Sequence, residues 1–321
     1  MLLSFVVVTQ EGLQDFEKTI NSINNQSLQD YEIIIVMDRP SHDDNNDSLV
    51  KKLFTEKDNV KVVFNSSIQG SSLSWNLALD LAEGKYIKFF KEGDFIAPNF
   101  VEVISENLEK NKDKELDIIE YKIQFTGNVE SEILTYLDKG KVYEISKDFD
   151  PYAYTNPLLF NKIFRTKLIK DFGFKFRNFV RYDMLFVYKV LGQTEYYLFI
   201  DSESIEKSNI QPIPYSVFDQ VNQWTHILNY YRRIGKYKHL KDYLNYSYYK
   251  TLVYIWLWEI KKYDNKLLIK KATNFAIRKF KDKRVEFTTD NTVFLEKRDE
   301  RFTEICVNFD DYIKEIYKVV K

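Results

Sequence analysis

Strands alternate with helices over the first two hundred residues, and helix then follows helix to the end. This order predicts an α/β chain: a mostly parallel sheet covered by helices on both faces, followed by a smaller all-helical C-terminal domain. Pro212 and Pro214 mark the change of pattern. The domains are therefore set at residues 1–210 and 211–321.

Each element has a local reason. Residues 3–8, "LSFVVV", are a short β-branched run. Leu13, Phe16, Ile20 and Ile23 recur at helical spacing over 13–26. Buried strands are expected at 32–37 ("EIIIVM") and 60–64 ("VKVVF"). A leucine- and alanine-rich helix at 72–82 is ended by Gly84, and the strand 85–90 follows. After Pro98 come a helix bearing Phe100, Val103, Ile104 and Leu108, then a strand over 116–125. Residues 126–150 read as loops and edge strands. Helices are expected at 161–171 and 179–191, with a strand at 195–200. The tail reads as helices at 216–233, 236–262, 264–282 and 299–320.

Composition narrows the classes of function. The chain has 321 residues, 44% hydrophobic and 30% charged, with a formal net charge of -1. Such a balance gives no general attraction to nucleic acid, and none is expected as a partner. A single cysteine, Cys306, excludes a disulfide framework within the chain and a cysteine-based zinc site. His42, His226 and His239 lie far apart, without metal-ligand spacing. Only nine glycines occur, and neither G-x-G-x-x-G nor G-x-x-x-x-G-K-[ST] is among the motifs. The N-terminus lacks the pattern of a signal peptide, and no run of eighteen apolar residues is present. The expectation is a cytoplasmic protein, at most peripheral at the inner face of the membrane.

The tail differs electrically from the rest. Residues 228–284 hold 16 Lys/Arg against 4 Asp/Glu, interleaved with nine tyrosines, Trp256 and Trp258. A helical bundle with a lysine-rich solvated face accounts for this. So does a basic, aromatic-rich surface for an anionic membrane.

Polar residues cluster where strands stop. The first strand ends at Thr9-Gln10-Glu11, the second at Met37-Asp38-Arg39-Pro40, and the fourth at Lys91-Glu92-Gly93-Asp94. In a parallel sheet these ends share one edge, which is where open α/β sheets hold ligands.

The residues along this edge resemble a known family. "SFVVVTQEGLQDFEKTINSINNQSLQDYEIIIVMDRPSHD" is similar to the opening of the family 2 inverting glycosyltransferases with the GT-A fold. Ser22-Ile23, Gln26-Ser27 and Tyr31 through Val36 fall in register with that opening. "NSSIQGSSLSWNLALDLAEGKYIKFF" resembles the next block, with Gly70, Asn76, Ala82, Gly84, Tyr86 and Ile87 matching. "FNKIFRTKLIKDFGFKFRNFVRYDMLFVYKVL" resembles a third, through Asn161, Lys162, Phe164, Arg165, Phe176 and Asp183.

The resemblance implies a fold, an activity and a set of roles. The reaction would be inverting transfer of a hexose from a UDP-sugar to a hydroxyl acceptor. Asp38 would hold the uracil, with Thr9, Glu11 and Asn76 lining the nucleotide-sugar site. Asn161, Lys162 and Tyr182 would lie on the acceptor side, and Asp183 would be the general base.

This chain also departs from the pattern. Where the family carries D-x-D-D, the first and third positions are Lys91 and Gly93, and only Asp94 is kept. Met37, Trp75 and Tyr182 replace an aspartate, an arginine and a glutamate. Three readings stay open. Glu92 and Asp94 form a displaced E-x-D pair for Mn²⁺ or Mg²⁺, Lys91 itself meets the diphosphate, or the chain is a degenerate paralogue kept for binding sugar nucleotides or glycans.

Overall fold

The computed structural model describes residues 1–10, 14–41, 58–126, 135–177, 184–200, 205–209, 218–261, 263 and 265–320. These form two compact units. One comprises 1–132, 138–147 and 157–211, and the other 133–137, 148–156 and 212–321.

The first unit is built on an eight-stranded sheet. Its strands are β1 (Leu3–Thr9), β2 (Tyr31–Met37), β3 (Val60–Phe64), β4 (Tyr86–Phe90), β6 (Leu116–Tyr121), β8 (Val142–Glu144), β9 (Lys162–Arg165) and β10 (Tyr196–Ile200), in the order β3-β2-β1-β4-β9-β6-β10-β8. β3, β2, β1 and β4 run parallel, as do β6 and β10. β9 is inserted antiparallel between β4 and β6, and β8 pairs antiparallel at one edge. A second sheet joins β5 (Phe95–Ile96), β11 (Glu206–Asn209) and β7 (Gln124–Thr126). A mostly parallel sheet flanked by helices matches the sequence expectation.

Side-chain periodicity fixes the layers. In α1 (Gln14–Asn24), Phe16, Ile20 and Ile23 are buried on one helical stripe. They pack with Phe5, Ile33 and Phe90 from the strands and with Phe100 of α3 (Phe100–Lys110). The Phe5 ring lies 5.3 Å from Tyr31 and 5.5 Å from Phe90. Every residue of β2 is buried, Glu32 included.

Glu32 is held by Ser4 Oγ at 2.6 Å, Glu83 N at 2.7 Å and Lys61 Nζ at 2.8 Å. Burial alone would raise its carboxyl, yet these donors hold it below the usual range. Gly84 completes the cluster, because a Cβ there would stand 2.6 Å from Ser4 N. Its backbone N–H donates to Ser4 Oγ.

Two expectations for this unit are corrected. Residues 161–171 are strand β9 followed by the short helix Thr166–Asp171. The strand expected over 116–125 breaks after Tyr121 and resumes as β7.

The second unit is helical. Its principal helices are Asp219–Arg233, Tyr237–Tyr249, Lys266–Phe280, Arg284–Asp290, Glu300–Val307 and Phe309–Val320. The helix expected over 236–262 contains a π-helical stretch, Lys250–Ile255, before Trp256–Lys261. Lys250 begins it and is buried against Asp299 at 2.7 Å. Residues 148–156 fold with this unit through Arg298, which pairs with Asp150 at 2.8 Å.

Tyr231, Tyr246 and Trp256 are buried here, so much of the aromatic content builds the core. Lys238, Lys270, Lys271, Lys279 and Lys281 are exposed. Among the described residues, no helix is long and apolar enough to cross a membrane.

Candidate functional site

The carboxyl ends of β1, β2 and β4 form one edge, as their register requires. Thr9 stands opposite Met37, and Val7 is level with both Ile35 and Phe90. Thr9 is buried, and its carbonyl accepts the Asp38 N–H at 2.7 Å. Asp38 and Lys91 directly follow the two strands that flank β1 on either side.

Asp38 is buried and organises the edge. Its Oδ1 accepts from Asn65 Nδ2 at 2.8 Å, Gln69 N at 2.8 Å and Ser74 Oγ at 3.3 Å, and its Oδ2 from Gly70 N at 2.9 Å. Burial opposes ionisation, but these donors outweigh it and hold the carboxyl below the usual range. The segment 65–70, leading into α2 (Ser71–Leu81), is thus shaped around this carboxylate.

Asn76 and Trp75, side by side on α2, engage residues near Phe176. Asn76 Nδ2 donates to the Phe176 carbonyl at 3.0 Å, and Phe176 N donates back to Asn76 Oδ1 at 2.8 Å. Trp75 packs against Phe176, Phe160 and Phe89 at centroid distances of 5.0, 5.9 and 6.2 Å. Trp75 is thus the centre of an apolar cluster.

Lys91-Glu92-Gly93-Asp94 is a tight turn. Asp94 N donates to the Lys91 carbonyl at 3.1 Å, and Gly93, at the third position, has φ +92°. That backbone conformation favours glycine. The fully buried Thr19 of α1 pins the turn, accepting from Gly93 N at 3.0 Å and donating to the Asp94 carbonyl at 2.7 Å. Lys91 and Glu92 are half-buried. Asp94 is wholly buried, with Oδ1 accepting from Ser208 Oγ at 2.7 Å.

Behind the turn lies a charged network that the sequence reading missed. Lys88 Nζ donates to the carbonyls of Phe160 (2.6 Å) and Phe89 (2.7 Å) and lies 3.2 Å from Glu206 Oε2. The Tyr121 hydroxyl donates to the same carboxylate. Burial pushes the Glu206 carboxyl up to about 7, against the pull of Lys88 and with the push of Asp94. Burial likewise lowers the Lys88 ammonium. The available signal was a lysine inside the otherwise apolar "YIKFF", since a lysine is almost never fully buried unless paired.

Asn161 and Lys162 belong to a parallel arrangement. Asn161 Nδ2 donates to Glu120 Oε1 at 3.0 Å, and Lys162 Nζ donates to Asn161 Oδ1 at 2.9 Å. Tyr197 hydrogen-bonds the other oxygen of Glu120. Both Asn161 and Lys162 are buried, and burial lowers the Lys162 ammonium to about 8. They support the sheet from within. Glu11, Tyr182 and Asp183 lie outside the described residues.

Glu92 and Asp94 are the acids that the displaced-motif reading assigns to a divalent ion. Such an ion needs several converging oxygens. Asp94 is turned inward toward Ser208, while Glu92 keeps partial exposure. Among the described residues, no group of three His, Cys, Asp or Glu is placed to hold a metal.

A mostly parallel sheet with a polar edge at its strand ends defines the class: a GT-A-like fold. The Staphylococcus aureus protein TarS, residues 1–349, superposes with a TM-score of 0.67, at 17% identity over 87% of this chain and 80% of that one. It has also been solved with UDP-GlcNAc, with a TM-score of 0.65. The mannosyltransferase PcManGT of Pyrobaculum calidifontis, solved with GDP-Man and Mn²⁺, gives 0.51 at 14% identity over 89% and 83% of the two chains.

Glycosyl transferase family 2 matches residues 4–175, more than half of the sequence, and the chain belongs to that family. An uncharacterised glycosyltransferase of Methanocaldococcus jannaschii is 30% identical over 152 residues, 46% of this chain and 51% of that protein. The GalNAc(5)-diNAcBac-PP-undecaprenol β-1,3-glucosyltransferase of Campylobacter jejuni is 36% identical over 93 residues, 29% of each chain. The chain thus spans about half the length of the first relative and under a third of the second.

Proposed function

We propose that this chain transfers a hexose from a UDP-sugar to a hydroxyl acceptor with inversion, using Lys91 in place of the family's metal-binding acids. The observation that carries the reading is the turn at 91–94, which sets a half-buried lysine at the same strand edge as Asp38 and is locked by Thr19. A leaving diphosphate needs a cation to meet its developing charge, and a lysine ammonium is a suitable point charge. The UDP-GlcNAc complex of TarS supports a uridine donor.

Asp183 would accept the acceptor hydroxyl's proton. The oxygen then attacks the anomeric carbon, the bond to the β-phosphate oxygen breaks, and UDP leaves with the electron pair. Asp38 would serve the uracil end, either directly or through the 65–70 segment that it shapes. Exposed lysines on the helical unit support peripheral contact with anionic lipid, which liposome flotation at low and high salt would measure.

Calorimetric titration with UDP, with and without Mn²⁺, tests the donor reading. Metal-independent binding that weakens at least tenfold in Lys91→Ala is the expected result. Metal-dependent binding would restore the Glu92/Asp94 reading. No binding in either buffer would favour the second reading, a degenerate sugar-nucleotide- or glycan-binding paralogue, for which the altered Met37, Trp75 and Tyr182 speak. Asp183→Asn should keep UDP affinity and lose transfer.

A further inference from the structure

The helical unit contains a cleft, about 450 Å³ in volume, between the hairpin of helices 219–233 and 237–249 and the helix 284–290. That volume lies within the range of small-ligand pockets, roughly 300–1,000 Å³. Its lining is unlike the lysine-rich surface around it. Arg232, Lys241 and Lys283 are matched by Asp242, Glu286 and Asp290, so the cleft carries no net formal charge.

Tyrosine rings and an amide complete the wall. Tyr237, Asn245, Tyr248 and Tyr249 are all half-buried. Their side chains make no hydrogen bond to another described residue. None of these polar atoms is buried without a partner, so the amide and the hydroxyls face the open cleft as donors and acceptors within reach of an occupant.

The rings are held in place by packing. Tyr249 lies 5.0 Å from Tyr248 and 4.9 Å from Phe287, and the Arg232 guanidinium stands 4.5 Å over Tyr237. Asp242 fixes one wall by accepting from Thr292 N at 3.1 Å and Thr292 Oγ1 at 2.8 Å. The charged rim is loosely paired, with Glu286 lying 3.2 Å from Lys283 and 3.8 Å from Lys241. Such exposed pairs contribute little and rearrange readily.

We infer that this cleft binds the saccharide portion of a glycan. A balanced set of charges disfavours a polyphosphate, and its polar rim disfavours an acyl chain. A sugar ring offers what the wall lacks: C–H faces for the tyrosine rings, and hydroxyls that both donate and accept for Asn245 and the tyrosine hydroxyls. The inference rests on the chain's membership of a glycosyltransferase family, which handles sugars, and is independent of the donor assigned above.

The test uses the full chain and three neutral probes, cellotetraose, chitotetraose and maltotetraose, followed by saturation-transfer NMR and calorimetry. At least one should bind, and Tyr237→Ala and Asn245→Ala should each weaken it tenfold or more with the melting temperature held within a few degrees. Saturating UDP should not displace it. Binding of none of the three, binding unchanged in both variants, or binding only of polyphosphate and only at low salt would each overturn the inference. UDP affinity measured on the same samples separates a failure here from a failure of the donor reading.

Discussion

Lys88 and Glu206, 118 residues apart, meet at 3.2 Å with neither side chain exposed, and Tyr121 closes the same carboxylate. Asp94, the last residue of the 91–94 turn, acts electrostatically on both members of this network. The turn that carries Lys91 is therefore seated on a buried ion pair.

That seat should titrate. Glu206 has a folded value of about 7, above the roughly 4.3 of an unfolded chain. A raised acid contributes stability that is full below the unfolded value and is lost as pH rises through the folded one. Between pH 4.5 and 8 the wild type should lose about 3 kcal/mol relative to Glu206→Gln. Urea denaturation of both proteins across that range checks it, and parallel curves would remove Glu206 as the titrating group.

Asp38 should behave in the opposite sense. Its carboxyl is held low in the fold, so its contribution is present above about pH 4 and fades in acid. Asp38→Asn removes the charge that accepts from two backbone N–H groups and two side chains. It should cost about 2 kcal/mol at pH 7, with the difference shrinking toward pH 3. A constant difference would contradict this account.

Two glycines should separate steric from conformational cost. Gly84→Ala places a Cβ 2.6 Å from the Ser4 backbone and should destabilise by about 3 kcal/mol or prevent folding. Gly93→Ala meets only ordinary contacts, 3.7 Å from Asp15 Cβ, but must adopt φ +92°. Its cost should be near 1 kcal/mol. Thermal melts of both variants would show whether that order holds.

The pin at Thr19 offers a functional check. Thr19→Val keeps the volume and removes both hydrogen bonds to the turn. Stability should fall by about 2 kcal/mol. If Lys91 meets the diphosphate, UDP affinity should also fall severalfold, while that of a Lys91→Ala protein should change no further when Thr19→Val is added.

Local patterns carried much of this protein. β-Branched runs marked β1 to β3 and an aromatic run marked β4, and the polar residues after three of these strands marked the edge. The four-residue turn with its glycine was likewise legible, because turn chemistry depends on neighbours in the chain. Residues 161–171 misled because Lys162, Ile163, Phe164 and Arg165 do not display strand alternation. Their charges are neutralised by Glu120 and Asp117 from another strand, a pairing with no local signature. Asn161 and Lys162, expected on the acceptor side, are held inside the sheet for the same reason.

The chain's own order of residues carried the signature of glycosyl transferase family 2, a polar strand edge with Lys91 in its turn, and a helical tail. Folding in three dimensions decided where each charge went: Asp94 inward to Ser208, Asp38 into the 65–70 segment, Lys88 onto Glu206. Short-range periodicity reports which faces are buried, whereas the partner of a buried charge is chosen by strands brought together from across the sequence. The low dielectric of the interior makes that choice strict, since an ion there without its counterpart is too costly to keep.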